Sequence, residues 1–262
     1  MALSKAELKQ AADALLAAAE KAAPIAPLSD TYPGLTVDEA YQIQLLNVEH
    51  RLAQGRKVVG KKIGLTSPAM QEMFKVAEPD YGHLLEDMLA YQGQGLSCNR
   101  LLQPRIEGEI AFILKHDLEG PGVTPTDVLR ATDGVAAALE IIDSRVRDWK
   151  IRIQDTVADN ASSAALVVGA RMVSPKKLDL RHVGFVLTKN GRLAGTGAGA
   201  AVLGSPAQSV AWLANKLGEY GIPLKAGEII LSGAAAAAVP VQAGDSIHLH
   251  VDRLGEVGCF FS

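Results

Sequence analysis

An α+β fold with a β-rich core behind a helical N-terminal region is what this sequence predicts, and three observations carry it. Two helix-start signatures lie within residues 1–56, short β-type runs divided by turn residues fill the rest, and no repeated βαβ alternation connects those runs. Ser4 and Glu7 form a capping box, and Leu8, Ala12, Leu15 and Leu16 continue it as an amphipathic helix to about Ala23. Pro24, Pro27, Pro33 and Gly34 break the chain before Thr36 and Glu39 open a second helix, carrying Ala40, Ile43, Leu46 and Val48 to about Gly55. These signals predict a helical appendage over residues 1–56 and a catalytic β-rich domain over 57–262, which together also count as one domain.

The β-type runs are Val58 to Leu65, Arg105 to Lys115, Val135 to Asp143, Leu166 to Gly169, Gly184 to Leu193, Glu228 to Leu231, Ser246 to Val251 and Glu256 to Phe261. Asn190-Gly191 is a type I′ hairpin signal, so the sheets are expected to be antiparallel or mixed. Proline follows a cap residue at Thr124-Pro125 and Ser205-Pro206, placing helix starts there; the second helix is expected to run through Trp212 and Leu217 to Gly221. Glu78-Pro79-Asp80-Tyr81-Gly82 reads as a turn, and Asp155 to Ser162 as a polar segment after a helix containing Trp149.

With 48% hydrophobic and 21% charged residues, the chain has the composition of an ordinary globular protein. A net charge of −3 with the signs interspersed supplies no basic stripe, which argues against a nucleic-acid partner. The two cysteines, Cys98 and Cys259, have no zinc-ligand companions and suit a reducing compartment. The N-terminus lacks an apolar targeting core, and no stretch approaches the ~18 apolar residues of a membrane span, so a cytoplasmic location is expected.

The segment Pro104-Arg-Ile-Glu-Gly-Glu-Ile-Ala-Phe-Ile-Leu114 carries the chemistry. As a strand it places Ile106, Ile110, Phe112 and Leu114 on one face and Glu107 with Glu109 on the other, about 7 Å apart. Glu140 lies in the otherwise apolar run Ala136 to Asp143, where a carboxylate is costly unless it is paired or holds a metal. Three carboxylates without His or Cys suit a hard cation such as Mg2+ or Mn2+; the alternative is a solvated Glu107–Glu109 face with Glu140 paired to a base such as Arg145. At Gly60-Lys61-Lys62-Ile63-Gly64 a half-buried strand turns one lysine inward as a candidate general base, whereas an edge strand displays its lysines to water; alternation leaves both the strand's place and the choice of lysine open. Gly195-Thr-Gly197-Ala-Gly199 is followed by no adjacent helix start, which argues against a dinucleotide loop, and His248 with His250 lacks a third ligand.

These motifs together resemble the hydratase and decarboxylase family of meta-cleavage pathways, within the fumarylacetoacetate hydrolase-like superfamily. The resemblance rests on Lys61 to Ser67, Glu78 to Gly82, Arg105 to Phe112, Asp143 to Arg145, Asp155 to Ser162, Gly197 to Pro206 and Trp212 to Asn215, and spans essentially the whole chain. It implies a mixed β-roll core, metal ligands at Glu107, Glu109 and Glu140, catalytic Lys62 and Asp80, and a substrate contact at Ser162. It further implies a small 2-oxo acid substrate, assembly into homo-oligomers and pairing with 4-oxalocrotonate decarboxylase. Asp148 to Thr156 is similar to members that hydrate a five-carbon dienoate. The alternatives it implies are 4-oxalocrotonate decarboxylation or a non-catalytic subunit of that decarboxylase. The loop Gly233 to Ala238 is plainer than the Leu- and Pro-containing loops of the hydratases.

Overall fold

In the computed structural model, which describes residues 2–262, both N-terminal capping boxes form as the sequence predicts. They open α1 (Lys5–Lys21) and α3 (Val37–Ala53), with the short α2 (Leu28–Thr31) between them. There follow β1 (Val58–Gly64), α4 (Pro68–Phe74), β2 (Asp80–Leu85), β3 (Leu89–Ala90), β4 (Gly95–Leu96), β5 (Arg105–Leu114), α5 (Pro125–Ala131) and β6 (Thr132–Ile142). The remainder is α6 (Ile153–Ala158), β7 (Ser163–Val168), β8 (Gly184–Lys189), β9 (Arg192–Ala198), α7 (Pro206–Gly218), β10 (Ile229–Leu231), β11 (Val239–Pro240), β12 (Ser246–Val251) and β13 (Gly255–Phe261).

The strands form two mixed sheets. The larger has the order β2-β1-β10-β5-β6-β7-β3, with β11 also pairing β5, and the smaller β4-β13-β12-β8-β9. Pairs β1/β10, β3/β7 and β4/β13 are parallel and the others antiparallel. Asn190 and Gly191 take φ of 54° and 73° between β8 and β9, the left-handed pair that a type I′ turn requires.

Alternation along β5 and β6 turns Ile106, Ile110, Phe112, Leu139 and Ile141 toward Ile247, Leu249 and Val257 of the smaller sheet. Each such side chain contributes roughly 1.5–3 kcal/mol on burial, which makes this inter-sheet layer the main source of stability. Gly108 sits on the same face, and a Cβ there would lie 2.9 Å from the Leu249 side chain, so glycine permits the close approach of β12. A second apolar cluster joins Leu8, Leu15, Ala40 and Ile43 to Val157 and Ala158 of α6. Polar ties reinforce it: the Ser29 amide donates to Asp155 at 2.9 Å, and Gln44 Nε2 donates to the carbonyls of Tyr81 and Val157. The N-terminal helices thus hold α6 against the larger sheet. Among the described residues no helix is long and apolar enough to cross a membrane.

Two local expectations are corrected. Glu78 to Gly82 is not a turn: Asp80 begins β2, pairs with Gly64 of β1 and is buried, because strand pairing along β1 outweighs the turn preference of the Pro-Asp dipeptide. Trp149 lies in a single 3-10 turn, Arg147–Trp149, and not in the longer helix expected. Asp148 and Trp149 adopt φ of 60° and 54°, which breaks helical continuity, and α6 starts only at Ile153.

Candidate active site

Register and alternation bring the predicted site residues onto one face of the larger sheet. Glu107 of β5 lies directly opposite Glu140 of β6, and Glu109 lies two residues along the same face of β5. On β1 and β2, Lys62 pairs with Gly82 and Asp80 with Gly64, so Lys62 and Asp80 project diagonally toward each other on that same face. Lys62 also pairs with Leu231 of β10, which pairs with Ala111 of β5, fixing the parity across the sheet. Five charged side chains therefore converge because each occupies the same phase of a period-two pattern.

One carboxylate oxygen from each of Glu107, Glu109 and Glu140 lies within 4.8 Å of the other two. Glu109 and Glu140 are fully buried, while Glu107 is partly exposed at the cleft wall. Like charges placed directly across a strand pair are unfavourable, so the arrangement calls for a compensating cation. Lys62 supplies part of it: its Nζ lies 3.3 Å from Glu140 Oε2 and donates to the Ala161 carbonyl at 3.1 Å. The Gly233 amide donates to Glu109 Oε2 at 2.6 Å. Glu109 Oε1, both Glu140 oxygens and Asp80 Oδ1 nevertheless lack any hydrogen-bond partner while buried. An all-oxygen donor set with orphaned, buried acceptors fits a hard divalent cation held by Glu107, Glu109 and Glu140.

The electrostatics agree with that reading. Burial, then the facing Glu140, raise Glu107 to about 7, and burial with Glu140 and Glu107 pushes Glu109 well above the ordinary carboxylate range. Burial likewise raises Asp80, with Lys62 opposing. At Lys62 burial disfavours the charge, but Glu140, Asp80, Glu107 and Glu109 outweigh it and hold the ammonium above the usual lysine value. The four carboxylates around Lys62 thus outweigh the loss of charge that burial alone favours.

Lys61 is buried too, but on the opposite face of β1, where it is paired with Glu228 at 2.6 Å. The edge-strand alternative fails because β1 lies between β2 and β10. The alternative partner for Glu140 fails as well, since Arg145 binds Asp159 instead.

Ser162 is buried at the end of three consecutive left-handed residues, Asn160, Ala161 and Ser162, with φ of 56°, 49° and 56°. The Asn160 side chain holds this strained turn against β2, accepting from the His83 amide at 2.8 Å and donating to the His83 carbonyl at 2.9 Å. The turn thereby presents the Ala161 carbonyl to Lys62 and aims Ser162 into the cleft.

The cleft above these groups has a volume of about 1110 Å3. Lys62, Asp80, Glu107 and Ser162 line it, together with Met70, Phe74 and the Ala234–Ala238 loop. The sequence reading missed Arg105, Trp149 and the α4 residues as cleft-lining groups. The alternation that selected Glu107 and Glu109 also places Arg105 on their face, so its position was available from the same pattern.

Residues 71–260 match the family model for the fumarylacetoacetate (FAA) hydrolase C-terminal region. The chain is 50% identical over 250 residues to the 2-hydroxyhexa-2,4-dienoate hydratase of Comamonas testosteroni, covering 95% of each. It is 47% identical over 249 residues to the 2-keto-4-pentenoate hydratase of Paraburkholderia xenovorans, covering 95% of this chain and 93% of the relative. Among solved structures, it superimposes on the 4-oxalocrotonate decarboxylase of Pseudomonas putida G7, complexed with magnesium and adipate, with a TM-score of 0.96 at 39% identity, covering 100% of this chain and 99% of that one. Whole-length similarity of sequence and of fold, together with the carboxylate-lined cleft, place the chain in the hydratase and decarboxylase family of the fumarylacetoacetate hydrolase-like superfamily.

Proposed function

We propose that this enzyme adds water to 2-hydroxypenta-2,4-dienoate, giving 4-hydroxy-2-oxopentanoate in the meta-cleavage degradation of aromatic compounds. The observation that carries the reading is the convergence of Glu107, Glu109 and Glu140 with Lys62 and Asp80 at one cleft, in a chain 47–50% identical to hydratases of such dienoates. Bound by the three glutamates, Mg2+ or Mn2+ supplies Lewis-acid stabilisation of negative charge on the 2-oxo group. Lys62 and Asp80 are the groups assigned to proton movement. They face each other across β1 and β2, both buried, with Asp80 Oδ1 free to accept a proton.

The substrate's 2-hydroxyl proton leaves and C5 gains one, forming the conjugated 2-oxo-3-enoate. Water then attacks C4, and the proton it gives up balances the one that C3 gains. Ser162 lines the cleft beside Lys62, whose ammonium donates to the Ala161 carbonyl at 3.1 Å, and this polar wall is the one assigned to hold the attacking water. Buried positions exclude competing bulk water from the proton-transfer pair.

The test is incubation of the purified chain with Mg2+ and freshly generated 2-hydroxypenta-2,4-dienoate, followed by ultraviolet absorbance and mass analysis. A product heavier by one water is expected. Release of carbon dioxide from 4-oxalocrotonate without hydration of the dienoate would reassign the chain to the decarboxylases.

A further inference from the structure

β1 and β10 are parallel neighbours, with Lys62 beside Leu231, so the segments that leave their C-terminal ends emerge side by side. Leu65, at φ 55°, turns the chain out of β1 toward α4, and Gln71 Nε2 donates to the Leu65 carbonyl at 2.9 Å, which ties the helix to the strand end. After β10, Gly233 packs so closely on Thr66 that a Cβ there would lie 2.5 Å from its side chain, while its amide donates to Glu109. The alanine loop that follows runs back along β5. The Ala235 amide donates to the Gly108 carbonyl at 3.2 Å, and Val239 pairs with Ile106. α4 and the loop therefore adjoin the end of β1 at which Gly64 pairs with Asp80, and both line the same cleft as Lys62 and Glu107.

What these two segments offer to the cleft is hydrocarbon. α4 buries none of its own residues: Met70 and Met73 are 38% and 70% exposed, and both line the cleft with Phe74. Exposed apolar side chains gathered at a cleft mark a surface that an apolar group covers. The loop adds only methyl groups, with Ala236 half-buried and Ala237 exposed. At about 1110 Å3 the cleft reaches the size that houses drug-sized ligands, far more than a five-carbon acid fills. It is a ligand site on independent grounds, because Asp80, 2% exposed, keeps Oδ1 without a partner within it. Its cations are engaged elsewhere or lie in solvent. Lys62 meets Glu140, Arg152 meets Asp30, Arg105 lies over the Trp149 ring at 4.6 Å, and Lys75 is exposed.

A 2-oxo acid with its head at the three glutamates and its chain passing Lys62 and Asp80 delivers its far end to α4 and the alanine loop. An alkyl group at C5 of the dienoate leaves C4 open to water. We propose that this far end is a hydrocarbon subsite, and that the enzyme takes dienoates extended at C5 by an unbranched alkyl chain. Met70 and Phe74 cover the chain, and the small side chain of Ala236 leaves it room. The proposal rests on the 2-oxo acid reading above and widens the substrate from one five-carbon acid to a class.

The experiment measures, by calorimetry in Mg2+, the binding of 2-oxopentanoate, 2-oxohexanoate and 2-oxooctanoate, which have no double bond to hydrate. In the wild type Kd is expected to fall about fourfold per added methylene, or about 60-fold from the first acid to the last. The double variant Met70→Ser/Phe74→Ser, on a helix with no buried residue, should reduce that gain to less than about fivefold. Ala236→Leu should fill the space and weaken 2-oxooctanoate by about 10-fold or more. Mg2+ affinity without acid should match wild type in both, because neither α4 nor Ala236 supplies a metal ligand.

A flat or falling series in the wild type overturns the proposal, as does a gain that survives both sets of substitutions. 2-Oxoadipate carries a second carboxylate at the end where 2-oxohexanoate has a methyl group, and it should bind more weakly. Tighter binding of 2-oxoadipate also overturns the proposal, since the far end would then be an anion site. If the series rises as expected but the wild type hydrates no dienoate, the reaction assignment fails and the subsite stands. Hydration of the five-carbon dienoate with a flat series has the opposite meaning.

Discussion

Replacing Glu107 by Gln is expected to stabilise the metal-free protein above neutral pH and to remove its response to Mg2+. Burial and the facing Glu140 raise the Glu107 carboxyl from 4.5 to about 7. A carboxyl raised by folding stabilises fully below its unfolded value, and that contribution is lost as pH climbs through the folded one. The window is therefore about pH 4.5 to 7, and at ~1.4 kcal/mol per unit the loss reaches roughly 3 kcal/mol, an upper figure for a partly exposed group. Gln never ionises, so metal-free Glu107→Gln should exceed wild type at pH 8 by up to ~3 kcal/mol, or about 5–10 °C in Tm, and match it near pH 5. Mg2+ at ~100 times its Kd should add about 2.7 kcal/mol to wild type and nothing measurable to the variant. Thermal unfolding at both pH values, in chelator and in Mg2+, reads all four terms. A metal-free variant less stable than wild type at pH 8, or one with an undiminished Mg2+ shift, would refute the account of this carboxylate.

The adjacent lysines should separate stability from catalysis. Lys61→Met strands the buried Glu228 carboxylate and is expected to cost ~3–5 kcal/mol in denaturant unfolding, with kcat of the folded enzyme near wild type. Lys62→Met should lower kcat at least ~10²-fold in saturating Mg2+ while the fold, followed by circular dichroism, persists. For Gly64→Ala, the new Cβ would stand 2.2 Å from Asp80 Oδ1 and 3.4 Å from Lys62 Nζ, so the Asp80 carboxylate must move away from its place beside Lys62. A fall in kcat of about 10- to 100-fold with an intact circular dichroism spectrum is expected, and unchanged turnover would show that the position of Asp80 is unimportant.

Features written in local chemistry were legible from the sequence. Ser4 with Glu7 and Thr36 with Glu39 form their boxes as read, Asn190-Gly191 turns its hairpin, and β12 spans the predicted Ser246 to Val251. The carboxylate cluster was legible in part for the same reason, since alternation alone puts Glu107 and Glu109 on one face. What alternation does not carry is the identity of the neighbouring strand. The pairing of β1 between β2 and β10 decides that both lysines are buried on opposite faces, and it also converts the Pro-Asp segment from a turn into the start of β2. Arg105 was passed over although it shares the phase of Glu107, because nothing local signals that Trp149 will adopt a left-handed conformation beneath it.

The places where local rules break coincide with the cleft. Glu107 opposes Glu140, a pairing that disfavours the β5/β6 ladder, while Asn160, Ala161 and Ser162 hold left-handed φ without a glycine among them. Neither feature persists by itself. The first is held by the apolar layer on the other face of the same strands, where Ile106, Phe112, Leu139 and Ile141 are fully buried. The second is held by the Asn160 bridge to His83 and by α6, which the N-terminal helices clamp through Ile43 and Val157. The N-terminal helices therefore act on the chemistry at one remove. By packing on α6 they keep the Ala161 carbonyl at Lys62, so loosening α3 should disturb the site before it melts the sheets.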